Sequence, residues 1–316
     1  MERRLRIVVL AAAQFAVPTL NALAQDSDEI AAVITRPDRP AGRGRKLRPT
    51  PIRQAAERLG LTVLQPERVS RPEGIALLRG LAADLLLVAA FGEILSEQVL
   101  ALAPLGAINL HASLLPRYRG AAPIQRALLA GERETGVTVQ WMAREMDAGD
   151  IILQRSLSVG EEEAFGSLHG RLAALGAEAV LDALDLIRQG EAPRMLQDHA
   201  QATYAPAVKP DELIITWGRP ALEISCMVRA FSPQPGARTT RKGELLKLLA
   251  AGLLPGGEKG VPGRVAEISP EGFCVEAAEG CLLVREVQAA GGKPMSAVAY
   301  ARGHRLLRGE VLGAAC

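Results

Sequence analysis

Residues 106–123 read GAINLHASLLPRYRGAAP. The stretch opens as a short apolar strand, in which side chains alternate faces, so Asn109 and His111 project to the same side where the strand ends. Apolar runs of the same kind precede it at 5–10, 30–35, 61–64 and 85–90. Between them lie helical patterns at 15–23, with Pro18 tolerated in the first turn, at 52–59 and at 73–81. A helix at 124–129, strands at 136–142 and 151–159 and a long helix at 164–189 follow. Continuous apolar strands alternating with helices specify an α/β fold: a Rossmann-like open, mostly parallel sheet with flanking helices. Ligands of such sheets bind at the carboxyl ends of the strands, which is where Asn109 and His111 fall.

That pair suits attack on a carbonyl. An amide N–H and an imidazolium N–H can both donate to a developing oxyanion, and the imidazole can protonate a leaving nitrogen. Downstream, EMDAGDII places Asp147 in a Gly-containing turn before another strand. From there a carboxylate can orient His111 or relay protons. Spacing alone leaves other readings open: an interior histidine with its hydrogen bonds satisfied, a turn-forming asparagine, a loop acid.

Longer words narrow the choice. NLHASLLP (109–116), RGAAPI (119–124), MDAGD (146–150) and, near the start, RPDRPAGRG (36–44) together resemble the formyl-tetrahydrofolate-dependent formyltransferases. Within that superfamily they are most similar to the branch acting on methionyl-tRNA, and the resemblance spans nearly the whole chain. It implies transfer of the formyl group of 10-formyltetrahydrofolate to the α-amino group of methionine on initiator methionyl-tRNA, for translation initiation. Asn109 and His111 would then stabilise the oxyanion, and Asp147 would hold His111 protonated and help move the proton. The resemblance further implies a pterin pocket formed with Phe91, Gly92, Ile94 and Leu95, completed by Ser113, Leu114, Leu115 and Pro116. Read alone, AFGEIL (90–95) is plain packing.

Two departures from the family pattern stand out. The turn after the first strand reads Ala11-Ala12-Ala13-Gln14 where the family has Gly-Thr-Pro and an acid, and Ala11 forbids easy positive φ. That turn also carries no dinucleotide fingerprint. Gln234 stands where the family commonly has Trp.

Charge is concentrated rather than abundant. The net charge is only +2, yet Arg36, Arg39, Arg43, Arg45, Lys46 and Arg48 crowd one Pro- and Gly-rich segment with a single acid, Asp38. That composition reads as a long basic loop without regular structure, either solvated or binding phosphate. In the methionyl-tRNA branch the matching loop enters the acceptor arm of tRNA, which makes these six residues the candidate tRNA contacts. Aromatic residues are 3% of the chain, so contact with nucleic acid is expected to be electrostatic rather than by stacking.

At 316 residues, two domains are expected. Residues 1–189 read as the catalytic domain and 190–209, with Pro193 and Pro206, as a linker along the surface. Residues 210–316 read as a second domain. It contains an amphipathic helix at 221–231, strands at 245–250, 263–268, 273–277 and 282–287, and a short helix at 295–301. Short strands broken by Gly and Pro suggest a small barrel, and the resemblance implies an OB-like β-barrel that supports tRNA. Cys226, Cys274, Cys281 and Cys316 have neither CxxC nor zinc spacing, so no metal is expected. Arg3, Arg4 and Arg6 before the apolar run 7–13 resemble a signal peptide, but the run reads better as the first strand. A cytoplasmic monomer is expected. The rivals are a formyltransferase for a small amine, which the basic loop and second domain oppose, and a tRNA-binding protein that has lost catalysis.

Overall fold

The computed structural model describes residues 4–41, 46–254 and 260–313. They divide into two compact units, each assembled from separated pieces of chain. The first comprises the described parts of Met1–Pro123, Glu134–Leu157 and His169–Pro206; the second comprises those of Ile124–Arg133, Ser158–Leu168 and Ala207–Cys316.

Elements in chain order are β1 (Arg6–Ala11), α1 (Val17–Leu23), β2 (Glu29–Ile34), β3 (Arg39–Ala41), β4 (Lys46–Arg48), α2 (Pro51–Arg58), β5 (Val63–Leu64) and α3 (Pro72–Gly80). Then come β6 (Leu85–Ala89), α4 (Glu97–Leu100), β7 (Ala107–His111), α5 (Pro123–Leu129), β8 (Glu134–Trp141), β9 (Ile151–Ser158) and α6 (Phe165–Gln189). Seven strands form one sheet in the order β5-β2-β1-β6-β7-β8-β9. The β5-β2, β2-β1, β1-β6 and β6-β7 pairs are parallel, and β7-β8 is antiparallel. All five residues of β6 are buried, as a strand covered on both faces requires. Pro18 and Pro51 lie in the first turns of α1 and α2, where a missing N–H costs nothing, and Thr50 caps α2 by accepting from Arg53 N.

The basic segment departs from the expected irregular loop. Its described ends pair as a two-stranded antiparallel hairpin, with Arg39 opposite Arg48 and Pro40 opposite Leu47. Pro40 is tolerated because this ribbon belongs to no larger sheet, so no second partner needs its missing N–H. Arg43 and Arg45 lie outside the described residues, as does Cys316. The stretch after α6 also departs from a purely surface path. Ile151 bridges Met195, Arg119 bridges Tyr204, and Gln197 and Ala205 are buried.

The second unit continues with α7 (Ala221–Phe231), β10 (Ala237–Arg241), β11 (Glu244–Leu254), β12 (Val265–Ser269), β13 (Gly272–Glu276), β14 (Cys281–Ala289), β15 (Met295–Ser296) and α8 (Ala297–Gly303). The antiparallel sheet runs β10-β11-β14-β13-β12, with β15 on β14. Irregular register near Ala250 bends β11 against β14, the usual device for curling a small sheet. The short helix expected at 295–301 is instead a two-residue strand leading into α8, which Ser296 caps. This small β domain is the OB-like partner expected of the α/β sheet. No helix among the described residues is long and apolar enough to cross a membrane.

Candidate active site

The carboxyl end of β7 carries the pair singled out by sequence. Antiparallel pairing sets Gln140 of β8 opposite Asn109 and Thr138 opposite His111, which gives the apolar sheet a polar seam. Asp147 reaches this seam from the turn between β8 and β9. Its Oδ1 accepts from Asn109 Nδ2 at 3.4 Å and from Gln140 Nε2 at 3.2 Å. Its Oδ2 accepts from the Gly120 backbone N–H at 2.8 Å and lies 3.5 Å from His111 Nδ1. The three residues predicted to act together are therefore brought together on one carboxylate.

The turn is costly to form. Asp147 holds φ +53°, a left-handed conformation that Asp tolerates better than most residues. At Gly149 a Cβ would meet the Trp141 carbonyl oxygen at 1.8 Å, so the strands approach too closely for any other residue.

His111 has a fixed tautomer. Its Nε2 lies 2.9 Å from the Tyr118 carbonyl oxygen, which can only accept, so Nε2 carries the hydrogen. Any second proton therefore sits on Nδ1, facing Asp147. The ring is 6% exposed, so bulk water barely competes for it.

The expected folate residues divide by burial. Phe91 and Leu95 belong to a core cluster with Val8, Leu10 and Val99, and Ser113 and Leu115 are buried too. Ser113 Oγ donates to the Arg117 carbonyl, and Thr138 and Gln154 tie down the Ser113 and Leu115 backbone. These four are therefore interior residues, two in the core cluster and two on a backbone held by side-chain hydrogen bonds. Ile94 is 76% exposed, Leu114 and Pro116 are partly exposed, and Gly92 adopts φ +77°. The Arg36 guanidinium lies against Gly92, with Nη1 3.4 Å from where a Cβ would stand, so Arg36 belongs beside this loop. Arg39 and Arg48 are exposed on the hairpin; the backbone of Lys46 is in β4, and its side chain is outside the described residues.

The altered first turn costs the backbone little. Ala11 is the buried last residue of β1, paired with Ala89, Ala13 is extended, and none of residues 11–14 has positive φ. Glycine's freedom is not needed there. Gln234 is exposed, so loss of an aromatic there opens no core cavity.

A formyl transferase family model matches residues 5–184, and a formyl transferase C-terminal domain model matches 207–305. The methionyl-tRNA formyltransferase of Moorella thermoacetica is 50% identical over 309 residues, covering 98% of this chain and 99% of that one. That of Symbiobacterium thermophilum is 45% identical over 301 residues, covering 95% and 92%. The chain belongs to the methionyl-tRNA formyltransferase family. Its fold recurs in more distant solved structures. HypX from Aquifex aeolicus in complex with tetrahydrofolic acid matches with a TM-score of 0.66 at 17% identity, covering 95% of this chain and 47% of that one. The sugar N-formyltransferase WlaRD matches with a TM-score of 0.66 at 17% identity, covering 92% and 100%.

Several groups in this formyltransferase escaped the sequence reading. The Gly120 N–H and Tyr118 carbonyl are backbone groups, which no side-chain pattern announces. Gln140 did carry a signal, as an amide inside an apolar strand. Gln197, from the stretch read as a linker, carried none. No group of three or more His, Cys, Asp or Glu side chains suited to a metal occurs among the described residues.

Proposed function

We propose that this chain transfers the formyl group of 10-formyltetrahydrofolate to the α-amine of methionine esterified to initiator tRNA, as a monomer in the cytoplasm. The observation that carries the reading is the convergence of Asn109 Nδ2 and His111 Nδ1 on Asp147 at the carboxyl end of β7. An aminoacyl ester has a lower amine pKa than a free amino acid, so a neutral amine is available near neutral pH. As its nitrogen bonds to the formyl carbon, negative charge grows on the formyl oxygen. Asn109 and His111 donate to that oxygen, their hydrogens drawn from Asp147 toward it. The amine must lose a proton and the departing folate nitrogen must gain one as its bond to the formyl carbon breaks. Asp147 and His111 Nδ1 form the relay between them.

The folate site pairs a rigid backbone at 113–116 with apolar surface at Ile94 and Leu114, which suits a flat heterocycle needing backbone partners. Phe91, Gly92, Leu95, Ser113, Leu115 and Pro116 shape it. The tRNA site is assigned to Arg36, Arg39, Arg43, Arg45, Lys46 and Arg48. In support, the hairpin register holds Arg39 directly opposite Arg48, a like-charge pair that is unfavourable alone and relieved by a phosphate between them. Asp38, the segment's only acid, is already engaged by Arg53 at 2.6 Å and Gln65 at 2.9 Å. Residues 1–189 supply the catalytic domain, 190–209 the connection and 210–316 the tRNA-supporting domain in this reading.

The test is formyl transfer to initiator methionyl-tRNA, run beside elongator methionyl-tRNA and free methionine. Product on the initiator alone is expected. Product on free methionine, or folate binding with no product on any acceptor, would overturn the reading.

A further inference from the structure

Asp147 is held on two sides by the segment that follows α6. On its main-chain side, Gln197 Nε2 donates to the Asp147 carbonyl at 2.9 Å and the Gly149 carbonyl at 2.7 Å, with Gln140 Oε1 at 3.2 Å. The Gln197 amide cannot flip. Its Oε1 accepts from Arg119 Nε at 3.2 Å and Nη2 at 2.6 Å, and a guanidinium only donates. Gln197 is 6% and Arg119 5% exposed, and among the described residues Arg119 pairs with no carboxylate. Arg119 Nη2 also lies 3.1 Å from His199 Nδ1, which must then accept. On the side-chain side, Thr203 O accepts from Arg119 N, Ala205 N donates to Arg119 O, and Ala122 N donates to Ala205 O. These bonds fix the Gly120 amide that donates to Asp147 Oδ2.

We infer that Gln197, locked by Arg119, is a positioning residue that clamps the left-handed Asp147 turn so that its carboxylate faces Asn109 and His111. The inference rests on the proposed function above. A turn at φ +53° relaxes toward commoner backbone conformations unless its surroundings hold it. Two short hydrogen bonds from one rigid amide supply that restraint. Without them the carboxylate loses its aim while the surfaces expected to bind folate and tRNA stay as they were.

Misplacement of a reacting group by about 1 Å costs on the order of a hundredfold in rate. Gln197→Leu is therefore expected to lower kcat about tenfold to a hundredfold, with KM for both substrates within about threefold of wild type. Gln197→Glu, nearly the same shape and still an acceptor for Arg119, cannot supply both donors and is expected to lose a similar factor. It also keeps the test informative if the leucine variant does not fold. Gln201→Leu, an exposed neighbour outside the network, is the neutral control. Hydrogen exchange of the 145–149 amides should speed up in both Gln197 variants, a change read without substrate. A folded Gln197 variant with wild-type kcat and wild-type exchange at 145–149 would overturn the clamp. So would a rise in KM that accounts for the whole loss. Failure of wild type to formylate any acceptor would instead overturn the reading on which the clamp rests.

Discussion

At the scale of single residues, the site depends on which atom of His111 is free to act. The Tyr118 carbonyl holds one ring nitrogen as a donor, so proton traffic passes only through Nδ1, beside Asp147. His111→Ala removes both the oxyanion donor and the relay. It should lower turnover by about two to four orders of magnitude, the span usual for a general acid or base. A single-turnover assay at saturating substrates checks this, and near-normal turnover by a folded variant would reject the role. Asn109 and His111 were legible because period two in a strand puts residues two apart on one face. The distance from 111 to 147 is set by a turn whose φ the sequence only hints at, through Gly149. The backbone donor of Gly120 was not legible at all, because its position depends on pairing with residues 203–205.

At the scale of elements, long apolar strands and amphipathic helices were legible and short polar ones were not. α7 matches its sequence reading at both ends because Ile224, Val228 and Phe231 repeat at helical spacing and are buried. β10, reading ARTTR, was missed because two arginines and two threonines look solvated; pairing with β11 and alternating burial make it a strand. The β3-β4 hairpin was missed for a related reason, since Pro and Gly argue against regular structure except in an isolated ribbon. Its geometry yields a prediction on the proposed tRNA contacts. Replacing Arg39 and Arg48 by Ala should raise KM for methionyl-tRNA while leaving KM for the formyl donor unchanged. Each lost phosphate contact should reduce the slope of log affinity against log salt by about 0.7 to 0.9. Equal weakening for both substrates, or an unchanged salt slope, would count against a phosphate-binding hairpin.

At the scale of the whole molecule, residues 124–133 and 158–168 group with the described parts of 207–316, a grouping that rests on contacts far apart in sequence. One of these contacts titrates. Arg126 on α5 makes a two-pronged ion pair with Glu212, one arm of it 2.9 Å long, and the Lys209 backbone N–H adds a bond at 2.9 Å. The Arg126 hydrogen bond, then that of Lys209, lower the Glu212 pKa from 4.5 to about 2 against a smaller opposing effect of burial. Because the folded value lies below the unfolded one, the pair contributes its full stability above about pH 4.5 and loses it as pH falls through about 2. The carboxylate is 29% exposed, so solvent screening reduces the contribution to about 1–2 kcal/mol at neutral pH. Glu212→Gln should therefore lower the stability of the second unit by that amount at pH 7, and the gap to wild type should close as pH approaches 2. Denaturant melts across this range, made in a Trp141→Phe background and followed by tryptophan fluorescence, test it, since Trp217 is buried in the same unit and Trp141 lies in the other. A gap that stays constant from pH 7 to 2 would assign the loss to packing rather than charge. Residues 107–111 belong to the other unit, so their hydrogen exchange should be the same in Glu212→Gln and wild type if this ion pair stabilises only the unit that contains it.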